Sequence, residues 1–251
     1  ARASMSHALR KVTMDSHPHG RRRLIPILGV LAGALLIVPA VVVYNAPANA
    51  AVTASYSESV GQHHGQVDAR ALNRKQVVFH DQMRKLWEDH VTWTRLAIVT
   101  FADGSAGFDA TAARLLQNQT DIGDAIKPFY GDAAGTRLTA LLHDHITIAV
   151  ELLQDAKAGD TAAFDAANTR WYANANDIAD FLSAANPRFW PQATMRAAMK
   201  THLDQTLAEA VAELGADYPG SVTAYDAIHQ HILDMADLLS SGIFRQFPGR
   251  F

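Results

Sequence analysis

From Lys75 to about Ile243, apolar residues recur at spacings of three and four, the period of helices that bury one face. Each run carries one polar residue inside its apolar stripe. His90 lies among Met83, Leu86, Trp87, Thr94, Ala97 and Phe101, Asn118 among Leu115, Ile122, Ala125 and Phe129, and His145 among Leu138, Leu142, Ile148 and Leu152. Asn174 sits with Phe164, Trp171, Ile178 and Phe181. His202 follows Met195 and Met199 and precedes Thr206, and His231 sits with Ile228, Met235 and Leu238. The six positions are separated by 28, 27, 29, 28 and 29 residues, close to four heptads each time.

Stop and start signals divide the region: Asp103-Gly104-Ser105, Pro128 with Gly131, Gly159-Asp160, Asn186-Pro187, Pro191, and Pro219-Gly220-Ser221. No alternating β-branched run lies between turn pairs. The expected fold is therefore all-α, an antiparallel up-and-down bundle of about six helices with short connections. Turns near Gly104, Gly131, Gly159, Arg188 and Pro219 lie roughly 12 to 17 residues from the polar positions, so at about 1.5 Å rise per residue those positions share a height to within roughly 8 Å. The expectation is one polar layer across the waist of an apolar bundle. Shared height does not imply contact.

Composition adds location. Residues 1–23 carry six basic side chains and one acidic one, and lead into the uncharged stretch 24–44 and then Ala48-Asn-Ala50. This is the pattern of an export signal, with an uncleaved membrane anchor as the alternative. Arg21-Arg-Arg-Leu-Ile25 also fits a loose twin-arginine pattern. The expected organisation is a signal or anchor helix in 1–50, a flexible linker in 51–74, and a bundle domain in 75–251. Beyond position 50 there are 16 basic and 24 acidic residues, a net of −8. An exported or envelope-located acidic body argues against nucleic acid as a partner and leaves an envelope protein or self-association open. The absence of cysteine excludes thiol catalysis and thiolate metal sites.

A buried imidazole or amide is costly unless hydrogen-bonded. The six could satisfy one another and fix helix register, as a buried Asn does in a coiled coil. The alternative is a metal or small-ligand site built from His90, His145 and His202 with the carboxylates Asp121, Asp177 and Glu209, and with Asn118, Asn174, Thr94, Thr206 and His231 as further members of the layer. Imidazole and carboxylate ligands without thiolate suit Zn, Mn, Fe or Cu, and Met195, Met199 and Met235 would favour copper if they turned inward. No Glu-x-x-His pair occurs, so a carboxylate-bridged di-iron bundle has no signature. Asn-x-x-Asp occurs in the second and fourth helices and His-x-x-x-Thr in the first and fifth, an order that does not read as tandem duplication. The aromatic, basic ending 244–251 is expected to fold back over the bundle.

These segments resemble a family of bacterial helical proteins of unestablished function. The likeness spans about 75–251. It is carried by Leu86-Trp-Glu-Asp-His-Val-Thr-Trp-Thr-Arg95, Arg114-Leu-Leu-Gln-Asn118 with Asp121-Ile122, Pro128-Phe-Tyr-Gly131, His145 with Ile148-Ala149, Trp171-Tyr-Ala-Asn174 with Asp177, His202-Leu-Asp-Gln-Thr206, Met235-Ala-Asp237 and Gln246-Phe-Pro248. Members often carry the label acetylglutamate kinase, and some glycosyltransferase. Those activities require an α/β nucleotide fold, which the helical pattern does not provide. The resemblance implies that His90, His145, His202, Asn174, Asp121 and Asp177 are family positions, whereas His229 and His231 lie outside its pattern.

The functional expectation is a non-enzymatic binder of a metal or small ligand. One alternative is a metal-dependent oxidoreductase or hydrolase using the same histidines, with Asp177 or Glu209 as base. The other is a structural accessory of an envelope complex.

Overall fold

The computed structural model describes residues 72–251. The expected signal or anchor and almost all of the linker fall outside the described residues. Six helices follow one another: α1 Arg74–Ala102, α2 Phe108–Tyr130, α3 Asp132–Ala158, α4 Thr161–Ala185, α5 Gln192–Leu214 and α6 Tyr218–Gln246, with a closing 3-10 turn at Pro248–Arg250. No strand occurs among the described residues, and no described helix is long and apolar enough to cross a membrane.

Local chemistry sets the boundaries. Asn73 begins α1 with a capping box: its side chain accepts from the Gln76 backbone N–H, and the Gln76 side chain accepts from the Asn73 backbone N–H. Asp160 and Asp217 cap α4 and α6 through the amides of Ala163 and Gly220. Gly131 alone joins α2 to α3 with φ of 84°, a conformation that a side chain rarely adopts. Two expected boundaries move slightly. Pro128 lies within the last turn of α2, and Pro219 lies in the first turn of α6, where its missing N–H costs nothing.

Each helix packs on the next and α6 closes the ring on α1, which also touches α3 and α5 across the interior. Met195, Met199 and Met235 are core residues packed among Trp171, Trp190 and Ile232. A smaller apolar cluster around Ala97, Ile98, Phe101, Phe108, Leu115, Ile146 and Leu153 fills the end where α1 finishes. At the opposite end the tail returns as expected, with the Phe251 ring stacked on Phe129 at 5.4 Å and set edge-on to Phe244 at 4.9 Å.

Candidate functional site: a histidine ring above an axial cavity

Three polar contacts repeat around the ring. Asn118 of α2 donates from Nδ2 to the Leu86 carbonyl of α1 at 2.9 Å, and Asn174 of α4 donates to the Leu141 carbonyl of α3 at 3.0 Å. His231 of α6 donates from Nε2 to the Ala198 carbonyl of α5 at 3.0 Å. Each carbonyl stands four residues before a buried histidine of the same helix: His90, His145 or His202. The bundle is therefore three helical hairpins, α1α2, α3α4 and α5α6, in equivalent positions about one axis.

The sequence carries the same repeat once the helices are aligned this way. Asp89-His-Val-Thr92 matches Asp144-His-Ile-Thr147, while Asp121-Ile-Gly-Asp124, Asp177-Ile-Ala-Asp180 and Asp234-Met-Ala-Asp237 follow Asn118, Asn174 and His231 at the same spacing. The expectation of no tandem order is thus corrected. The joints between hairpins agree: Asp180 binds Arg196 at 2.6 and 2.8 Å, and Asp237 closes the ring on Arg84 at 2.7 and 2.8 Å, each Arg six residues before its histidine. At the third joint Thr139 replaces the Arg and packs on Gly123, whose carbonyl lies 2.5 Å from where a Cβ on Gly135 would stand. There the two backbones touch.

The three equivalent histidines form the centre of the waist. The His202 ring lies 5.5 Å from His90 and 6.1 Å from His145, and His145 stacks on Trp171 at 5.3 Å. Hydrogen bonds assign the protons. Gln119 Nε2, fixed by the Leu115 carbonyl at 2.9 Å, donates to His90 Nδ1 at 3.1 Å, so His90 carries its proton on Nε2. His145 donates from Nδ1 to Asn174 Oδ1 at 2.8 Å and is bare at Nε2. His202 Nδ1 and Gln119 Oε1 are buried without a hydrogen-bond partner.

All the layer histidines are held neutral. Burial, with His145 nearby, lowers His90 to about 3, and burial lowers His145 to about 4 against the opposing bond to Asn174. Burial, then His90, His145 and His231, pushes His202 well below the ordinary range, and burial also lowers His231.

The carboxylates expected beside the ring are elsewhere. Asp121 faces the surface, where it meets Arg114 and Gln117, and Asp177 is exposed. Glu209 is buried but belongs to a second cluster two turns along α5. Its Oε1 accepts from Arg95 Nη1 at 2.8 Å, the same nitrogen donates to Ser221 Oγ at 2.8 Å, and Ser221 donates to Glu213 Oε2 at 2.5 Å. Burial raises the Glu209 carboxyl, partly offset by Arg95. Among the described residues no group of three or more histidine and carboxylate side chains is arranged to hold a metal ion.

One turn beyond the histidines lies a cavity of about 60 Å³, room for about four to six water-sized groups. Thr94, Ala149 and Thr206, each four residues after its histidine, all line it, with Ile98, Leu153, Ala210 and Trp171 among the remaining walls. Comparison with protein-family models, curated proteins and solved structures finds no match.

Proposed function

We propose that this is an exported, non-catalytic binding protein that takes a small, largely apolar molecule into the axial cavity beneath its histidine ring. The cavity carries the reading: it stands where all three hairpins meet, and its walls are almost wholly hydrocarbon, the usual character of a ligand pocket. Export rests on the basic leader before an uncharged stretch and the acidic body after it. That acidic balance also argues against a nucleic-acid partner.

The layer supports a structural role beside binding, because each hairpin contact fixes the height of one helix against its neighbour. A metal at the waist has less support. Two of the three candidate carboxylates face outward and the third is bound to Arg95.

Isothermal calorimetry with cyclopentanol, a molecule of the cavity's size, tests the reading. Saturable one-to-one binding in the sub-millimolar range is expected, about −4 to −6 kcal/mol. Ala149→Leu, which fills the cavity from α3, is expected to abolish it. Wild-type binding in Ala149→Leu, or no saturable binding in the parent, contradicts the assignment.

A further inference from the structure

We infer that one end of the bundle, where α1 begins and the tail closes, rests on an anionic phospholipid surface. This surface is separate from the cavity and does not depend on it. Gln246 of α6 donates to the Ala185 carbonyl of α4 at 2.9 Å, and Arg250 donates to the Pro128 carbonyl of α2 at 2.8 Å, which gathers these helix ends together. Six cations stand exposed there: Arg74, Lys75, Arg137, Arg188, Arg245 and Arg250. None is paired with a carboxylate among the described residues. Arg188 and Arg245 lie over the one Phe189 ring at 5.2 and 4.2 Å, which holds two guanidinium groups close. The carboxylates of this end are Asp81, Asp124 and Asp132, and Asp124 is engaged by Lys127 at 2.6 Å.

Beside the cations, Leu72, Val77 and Val78 are 42, 41 and 61% exposed. Aliphatic groups interleaved with free cations match a bilayer interface, which takes the first among its headgroups while its phosphates meet Lys and Arg. The body as a whole is acidic, but the exposed carboxylates Asp103, Asp109, Asp160, Asp165 and Asp217 gather at the other end. The 29 residues of α1 set the two ends about 40 Å apart. That is several times the screening length of about 8 Å at physiological salt, so the near end decides the attraction. The residues before Leu72, with the uncharged stretch 24–44 among them, also join the bundle at this end. A membrane that holds that stretch meets the basic end first.

The chain has no cysteine, so one fluorophore on Val78→Cys, or on Val222→Cys at the far end, reports each end by itself. The full chain is titrated with nitroxide-headgroup vesicles of phosphatidylcholine, alone or with about 30% phosphatidylglycerol. The anionic vesicles are expected to quench the label at position 78 and spare the one at 222, and raising the salt from about 0.1 to 0.5 M should reverse the effect. Lys75→Gln with Arg137→Gln and Arg188→Gln should lower the ratio of quenched to unquenched protein by about tenfold or more. Lys85→Gln with Arg170→Gln and Lys200→Gln makes the same charge change on the flanks and should leave that ratio nearly unaltered. No quenching at position 78, equal quenching at both positions or by neutral vesicles, or equal losses from the two triple changes overturns the proposal. So does a signal at position 78 that grows with protein concentration in the absence of lipid, which gives this end to the acidic end of a second copy.

Discussion

Lowering the pH from 7.5 to 5 is expected to remove about 4 kcal/mol of folding stability through His90 and His145 alone, with His202 adding to the loss. Both residues have folded-state values far below the 6.5 of an unfolded histidine, at about 3 and about 4. The stability they confer is full above pH 6.5 and is lost as the pH falls toward those values, because the unfolded chain takes up protons that the folded chain refuses. At pH 5 the unfolded chain has gained roughly 2 kcal/mol per histidine from that difference, at 1.36 kcal/mol per unit. Glu209 acts with the opposite sign. Its raised value means that its contribution is present below the unfolded carboxyl range and lost as the pH rises through the folded value, so it offsets part of the loss at the acid end. A domain with about 5 to 15 kcal/mol in total should then approach unfolding near pH 5. Urea denaturation at intervals between pH 7.5 and 5 checks this, and a midpoint that stays constant contradicts it.

Replacing Arg95 with Met should cost about 3 to 5 kcal/mol at pH 7. Glu209 and Glu213 are 1% and 6% exposed and share this single guanidinium. Removing it leaves two carboxylates in the core with only Ser221 to donate to them, and Arg95 also lies over the Tyr225 ring at 5.2 Å. Adding Glu209→Gln to the Met variant should restore part of the loss, since one uncompensated charge disappears. Denaturation of the single and double variants measures both. A loss below about 1 kcal/mol for Arg95→Met would place the cluster in water and remove the account of it as a buried network.

The helices and their shared waist were legible in the sequence because both follow from apolar periodicity, which survives any arrangement of the neighbours. The site was legible only in part. Asp121 and Asp177 lie three residues beyond their layer asparagines, about 60° around the helix, enough to turn them from seam to surface. Glu209 keeps the face of His202 but stands about 10 Å along the axis, level with Arg95. Gln119, 100° around from Asn118, reads as a flank position until α2 is seen packed between α1 and α3. The repeat was obscured because α6 has His231 where α2 and α4 have asparagine, and α5 has Thr201 where α1 and α3 have aspartate. Its confirmation lay in contacts between helices, above all Asp237 with Arg84, which closes α6 on α1.

The central claim is a ring of three neutral imidazoles, one from each hairpin, with protons placed by the surrounding amides. Nitrogen-15 NMR of the histidine side chains, with His90, His145 and His202 assigned by substitution, tests it most directly. At pH 6 the account predicts three neutral rings that have not begun to titrate, His90 protonated on Nε2 and His145 on Nδ1. Rings that titrate together near 6.5, as solvated histidines do, would contradict it.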